Sequence, residues 1–137
     1  MHLNKTNQAI KDKIKKIRFL LSDVDGVLTD GALYVGSNHT EYKKFHVEDH
    51  SGVVLCRFAG IQIGLLSARF SEATLIRAKE MKIETCIQGC LNKSKELEKI
   101  CKKNQIKESN IAYIGDGLID IPVMEKVGLA ISVNNAD

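Results

Sequence analysis

Leu20-Leu21-Ser22-Asp23-Val24-Asp25-Gly26-Val27-Leu28-Thr29 decides how this chain is read. The apolar run from Ile17 to Leu21 predicts a buried strand over 17–22. It stops at two carboxylates spaced two apart, followed by glycine. Side chains alternate along a strand, so Asp23 and Asp25 leave it on the same side. Two carboxylates that close repel each other, and a purely structural role rarely needs such a pair. A cation or a transferring phosphoryl group would account for it.

Outward from this stretch, strands alternate with helices. Ala32–Val35 and Thr40–His46 predict two short strands around a turn at Gly36-Ser37-Asn38-His39, a hairpin excursion over about 32–46. Val53, Val54, Phe58 and Ala59 give a helical pattern over 49–59, with Asp49 or Ser51 as cap and Gly60 as stop. A second buried strand follows over 61–66, then a helix capped by Ser71 and running to about Lys82. A third strand covers 83–87. The helix over 93–103 is amphipathic, with Leu97, Ile100 and Cys101 on one side. A fourth strand spans 111–114. A short helix over 120–126 has Pro122 in its first turn and Gly128 past its end. A fifth strand spans 129–133. This order predicts an α/β fold, a Rossmann-like parallel sheet with helices on both faces. Residues 1–16 form a polar lead-in and residues 17–137 one domain. The chain stops directly after a strand, so a covering tail beyond Asp137 is expected.

Composition excludes several classes. At 137 residues, 44% hydrophobic and 27% charged, the chain reads as an ordinary globular domain. Its net charge is +3, with lysines concentrated over 11–16 and 93–103. Both clusters fall on helical patterns and read as solvated faces, not as a nucleic-acid surface. Aromatic residues make up only 5%, without tryptophan, which leaves few platforms for bases. Cys56, Cys86, Cys90 and Cys101 lack C-x-x-C spacing and read as buried reduced thiols. No apolar run reaches a membrane span, and the lysine-rich start lacks the core of a signal peptide. A cytoplasmic location is expected.

In an open parallel sheet, ligands bind beyond the carboxyl ends of the strands. There the sequence sets Asp23 and Asp25, then Ser67-Ala68-Arg69, then Gln88-Gly89 with Lys93, then Gly115-Asp116-Gly117 with Asp120. Three acids with Asp120 close behind, a hydroxyl, a lysine and glycine-rich backbone converge on one edge. One chemistry uses all of them. A carboxylate attacks phosphorus, and water hydrolyses the aspartyl-phosphate. A divalent cation must screen the meeting of two anions. Asp23 is the candidate nucleophile and, with Asp116, a candidate ligand for Mg²⁺. Asp25 can protonate the leaving alkoxide and then activate water. Ser67, Lys93 and backbone N–H groups around Val24 to Gly26 can bind phosphoryl oxygens. Asp120 is either a helix cap or a partner standing behind the site.

The segment Asp23-Val24-Asp25-Gly26-Val27-Leu28-Thr29 resembles the first motif of the haloacid dehalogenase superfamily of phosphatases. Ser67, Lys93 and Gly115-Asp116-Gly117-Leu118-Ile119-Asp120 resemble its second, third and fourth motifs, in order. Residues 23–31, 42–52, Gln88-Gly89 with Lys93, and 113–129 are similar to its capless subfamily acting on 3-deoxy-D-manno-octulosonate (KDO) 8-phosphate. That resemblance implies Mg²⁺, bound also through the Asp25 backbone carbonyl. It implies substrate contacts from Asp25, His46, Val47, Glu48, Asp49, His50, Arg69, Arg77 and Lys93, with Gly26 at the phosphoryl group. It further implies a homotetramer and a role in lipopolysaccharide synthesis. Guanidinium groups suit a carboxylated sugar phosphate. The chain departs from the subfamily at His50, Val54 and Gly117, and at Ser67-Ala68, where serine keeps the hydroxyl of the usual threonine.

Between Thr29 and Ser67 there is room only for a hairpin and a helix, too little for a cap domain. A neighbouring subunit closing the site with the hairpin is therefore expected. A nonulosonate 9-phosphate is the alternative substrate. The alternative classes are a receiver-like signalling domain, whose phosphorylated Asp would follow a middle strand, and a non-catalytic oligomerisation module.

Overall fold

The computed structural model describes residues 5–137, with side chains from Gln8 onward. A central strand, β1 (Phe19–Ser22), organises a five-stranded sheet in the order β5-β4-β1-β6-β7. Its partners are β4 (Gln62–Leu66), β5 (Thr85–Ile87), β6 (Ile111–Gly115) and β7 (Leu129–Ser132), and every pairing in it is parallel. Ser22 stands opposite Leu65 on β4 and Ile114 on β6. The residues that follow these strands therefore emerge side by side on one edge.

Strand alternation divides the core. Leu66 joins Phe19, Leu21, Ile111 and Tyr113 on one face, packed by Leu97 and Ile100 of α4 (Lys93–Asn104) and Val123 of α5 (Ile121–Met124). Its neighbour Leu65 turns to the other face. There it meets Val24, Val53 of α2 (Glu48–Phe58), and Ala78 of α3 (Glu72–Glu80), with Met81 and Ile83. Adjacent residues of one strand thus serve two cores, and helices cover both faces. Burying each large apolar side chain contributes about 1.5–3 kcal/mol.

The helix ends matter where they aim functional residues. Asn92 caps α4, its side-chain oxygen accepting from Lys95 N at 3.1 Å, so Lys93 begins the first turn directly behind the sheet edge. Gly60, at φ +74°, ends α2 and turns the chain into β4.

Several expected bounds contract. Of the lead-in, α1 occupies Lys5–Ile14, and residues 1–4 lie outside the described residues. The hairpin pairs only β2 (Tyr34–Val35) with β3 (Glu41–Tyr42), because the strands diverge past Tyr34 and Tyr42. Phe45 instead forms an isolated bridge with Thr29, pinning the hairpin to the Asp23 loop. The helix expected over 120–126 is a single turn over 121–124, preceded by a 3₁₀ turn over 118–120. Val47, not Asp49 or Ser51, holds the cap position of α2, without a side-chain cap bond. Ser71 does begin α3, but its backbone is what is held: its N–H donates to Gln88 Oε1 (2.9 Å) and its carbonyl accepts from Gln88 Nε2 (3.2 Å). All four cysteines are free and only partly buried; Cys86, Cys90 and Cys101 lie at the margin of a core. The chain from Thr29 to Ser67 holds just the hairpin, α2 and β4, so no cap domain is present. No helix among the described residues is long and apolar enough to cross a membrane.

Candidate active site

The edge of the sheet gathers charge where water is scarce. Asp23 directly follows β1; its N–H donates to Ile114 O (2.9 Å), locking it to β6. One carboxylate oxygen accepts from the Val24 N–H (2.7 Å), and the other lies 2.9 Å from Lys93 Nζ. Lys93 is 1% exposed. Its ammonium also donates to Asp120 Oδ1 (2.6 Å) and Tyr113 OH (3.1 Å). One lysine thus bridges two buried carboxylates.

Asp120, fully buried, is saturated. Its Oδ1 accepts from Lys93 and from Tyr113 OH (2.5 Å), and its Oδ2 from the N–H groups of Asp116 and Gly117 (3.1 and 3.2 Å). It makes no cap bond to α5, and its bond from the Gly117 N–H caps only the 3₁₀ turn over 118–120; its burial against Lys93 and Tyr113 adds the second expected role, a partner behind the site. Burial opposes its ionisation, but the bonds from Lys93 and Tyr113 outweigh burial and hold it below the usual carboxylate range. Asp23 goes the other way. Burial pushes it up to about 6 against the pull of Lys93. Burial, then Asp120, also raises Asp116.

Asp23, Asp116 and Asp120 each offer a carboxylate oxygen within 4.8 Å of the others. Asp120 has no capacity to spare, so Asp23 and Asp116 remain as the candidate ligands. Gly26, at φ +86°, permits this: a Cβ there would collide with the Asp116 carboxylate, which lies against the Asp23–Gly26 loop. An all-oxygen donor set short of positive charge suits a hard divalent cation. The residues present fit Mg²⁺.

The Asp23 loop is held by a residue with no expected role. Thr29 Oγ1 accepts from the N–H groups of Gly26 (3.2 Å) and Gly31 (3.1 Å). The Gly26 amide expected at a phosphoryl group is therefore committed, as is that of Val24; among these three loop amides, Asp25 N–H is left free. Ser67 is buried beside the same edge, with its N–H on Ile87 O and its carbonyl accepting from Cys90 N. Residues at the end of the chain approach too: Asn135 Nδ2 donates to Gly26 O (3.0 Å) and Asp137 N to Asp116 O (2.9 Å).

Asp25 stands apart from this cluster. Its carboxylate pairs with Lys43 of the hairpin at 2.6 Å. Arg69 binds Glu41 at 2.7 Å, and Arg77 binds Glu80 (2.7 Å) and His46 O (3.0 Å). Between hairpin and α3 lies an open cavity of about 590 Å³ lined by Lys43, Phe45, Phe70, Ile76 and Arg77 among others. The segment from His46 to His50 makes no hydrogen bond or ion pair to the reaction-centre acids. Val47 is 76% exposed, and the hydrogen bonds and ion pairs of residues 46–50 reach Arg77 and one another, not Asp23, Asp25 or Asp116.

Lys43, Glu41 and Tyr113 are site residues that motif reading passed over. Two signals were available. Residues 41, 43 and 45 alternate with Tyr42 and Lys44, which sets them on one face. A tyrosine in an otherwise apolar strand needs a partner for its hydroxyl.

A parallel sheet with paired acids after its central strand, a lysine opening α4 and a further acid after β6 defines a haloacid dehalogenase-like hydrolase. The family model described as haloacid dehalogenase-like hydrolase matches residues 58–137. The 3-deoxy-D-manno-octulosonate 8-phosphate phosphatase of Salmonella typhi is 39% identical over 127 residues, covering 93% of this chain and 68% of that protein. The Escherichia coli K12 protein of that name is 40% identical over 124 residues, covering 90% and 66%. The crystal structure of the Moraxella catarrhalis phosphatase, in complex with magnesium, phosphate and KDO, superposes with a TM-score of 0.91 at 38% identity, covering 99% of this chain and 76% of that one. The Yersinia pestis structure gives 0.91 at 34% identity, covering 93% and 69%. This chain belongs to the 3-deoxy-D-manno-octulosonate 8-phosphate phosphatase family of haloacid dehalogenase-like hydrolases, and is a phosphoric monoester hydrolase.

Proposed function

We propose that the protein hydrolyses KDO 8-phosphate to KDO and phosphate through an aspartyl-phosphate on Asp23. The observation that carries this reading is the buried Asp23, set against Lys93 on one side and against Asp116 on the other. Asp23 forms a bond to phosphorus as the ester P–O bond breaks, and Asp25 gives its proton to the departing alkoxide. Water then attacks the phosphorus and gives a proton to the Asp25 carboxylate. The P–O bond to Asp23 breaks, and phosphate and the free enzyme return. Asp23, Asp116 and the Asp25 carbonyl would hold Mg²⁺, which would supply the positive charge that screens the approach of two anions. Ser67, Lys93 and the free Asp25 amide bind the phosphoryl oxygens. Asp120 fixes Lys93 and the Asp116–Gly117 turn.

Arg69, Arg77 and the segment from His46 to His50 face the sugar. The open cavity beside them leaves room for a neighbouring subunit, and the outward Tyr34, Val35 and Tyr42 of the hairpin are 51%, 72% and 65% exposed, which favours a homotetramer that closes the site. The reading places the enzyme in cytoplasmic lipopolysaccharide sugar synthesis. His50 and Val54, departures beside the sugar, keep a nonulosonate 9-phosphate as the second candidate.

Phosphate release with Mg²⁺ across a panel of sugar phosphates tests the reading. KDO 8-phosphate is expected to give the highest kcat/KM. Preference for a nonulosonate 9-phosphate would replace the substrate and keep the chemistry. Equal, weak release from every ester would remove the sugar assignment.

A further inference from the structure

We infer that Lys43 is a positioning residue of the reaction: the hairpin, just past β3, reaches into the active site of its own subunit and holds the Asp25 carboxyl for proton transfer. The inference rests on the role given to Asp25 above and extends it to a residue outside the four motifs.

Alternation from β3 through the residues that follow it is the starting point. Glu41, Lys43 and Phe45 turn toward the domain, while Tyr42 and Lys44 turn away. Glu41 accepts from Arg69 at 2.7 Å and stands 4.0 Å from Lys43 Nζ, and Lys43 Nζ stands 2.6 Å from Asp25. The result is a row of alternating charge, Arg69–Glu41–Lys43–Asp25, running from the rim to the reaction centre. The Lys43 side chain is 1% exposed although it belongs to a surface hairpin. Burying an ammonium is costly unless it is paired and hydrogen-bonded. Its remaining contact is Thr74 Oγ1 of α3, at 3.5 Å and itself fully buried. The backbone bridge from Phe45 to Thr29 anchors the strand two residues beyond Lys43.

Asp25 needs such a partner. It lies on a loop beside Gly26, apart from the Asp23, Asp116 and Asp120 cluster. Lys43 is the one side chain among the described residues to which its carboxylate bonds. A proton donor must be held within hydrogen-bond reach of the leaving oxygen, and small misplacement is expensive. Lys43 supplies the fixed point. The hairpin then has two faces with separate duties: an inward row of charge for its own site, and an outward apolar face.

Leaving-group dependence tests this. A sugar alkoxide needs a proton to depart, whereas p-nitrophenolate does not. The variants are Lys43→Met, Lys43→Arg, Asp25→Asn and the Lys43→Met/Asp25→Asn pair. Each is assayed as holoenzyme in Mg²⁺, with p-nitrophenyl phosphate and with the sugar phosphate that the wild type turns over fastest. The readout is kcat/KM, which reports the step in which the leaving group departs. Lys43→Met is expected to lower kcat/KM for the sugar phosphate about tenfold or more beyond its loss on the aryl ester, with Asp25→Asn showing the same bias more strongly. The pair is expected to match Asp25→Asn alone within about twofold, and Lys43→Arg to recover most of the loss. Equal losses on both esters from Lys43→Met, or additive losses in the pair, would overturn the inference while leaving Asp25 as the acid. If Asp25→Asn itself shows no leaving-group bias, the role of Asp25 falls, and the inference falls with it.

Discussion

Two regions meet at the sheet edge and differ in nearly every physical respect. Around Asp23, Lys93, Tyr113 and Asp120, every charge is buried, paired within 3.1 Å and carried on or directly behind a strand of the sheet. Around Arg69, Arg77 and the segment from His46 to His50, charges lie on loops and helix surfaces, much of the region is exposed, and an open cavity separates hairpin from α3. The first region is arranged before substrate arrives. The second keeps groups such as the Arg69 side chain half in water, where they can be re-paired at small cost. Chemistry common to many phosphate esters can be built into a rigid edge, whereas recognition of one sugar belongs on a rim that sequence change can alter without unfolding the sheet.

The largest effect is expected in the rigid region. Asp23→Asn should lower kcat about a thousandfold or more with the fold intact, measured by phosphate release and circular dichroism. Activity retained within tenfold would remove Asp23 as nucleophile. Chelation with EDTA should abolish turnover as well, and Mg²⁺ should restore it; full activity after exhaustive chelation would break the assignment of Asp23 and Asp116 as ligands.

Lys93→Met sharpens the contrast because it tests pairing and chemistry together. It leaves two buried carboxylates without their cation, so unfolding free energy should fall by about 3–5 kcal/mol and kcat by about a hundredfold. Adding Asp120→Asn should restore part of the stability and none of the activity. Recovery of both would show that Lys93 serves only the fold.

The rim should give smaller effects. Arg77→Ala, which frees the His46 carbonyl, is expected to raise KM for the sugar phosphate about tenfold with kcat changed less than threefold. Arg69→Ala, at a more exposed pair, should do less. A kcat loss from Arg77→Ala as large as that from Lys93→Met would erase the distinction between the two regions.

Much of the rigid region was legible in the sequence. Apolar runs mark the strands, and polar residues directly after a parallel strand land on the ligand edge whatever the loops do, so Asp23, Ser67, Lys93 and Asp116 could be placed together. Asp120 could not be decided that way. Cap and buried partner have the same sequence signature, and only the approach of Lys93, 27 residues earlier, and of Tyr113 distinguishes them. The rim was less legible. The segment from His46 to His50 was expected at the substrate because of its position in a motif; what the structure adds is its tie to α3, the His46 carbonyl accepting from Arg77, which no spacing along the chain specifies. Gly26 was expected to offer its amide outward, and Thr29 takes it.

The sequence by itself determined the order of strands and helices, the class of chemistry and the acids proposed to perform it. Those follow from periodicity and from the rule that strand ends hold ligands, which are local properties. Tertiary structure alone decided the pairings: Lys93 shared between Asp23 and Asp120, Asp116 laid against Gly26, Lys43 closed on Asp25. Each depends on the register between strands and the angle at which a hairpin or helix returns. An ion pair depends on separations of a few ångströms, which no spacing along the chain specifies.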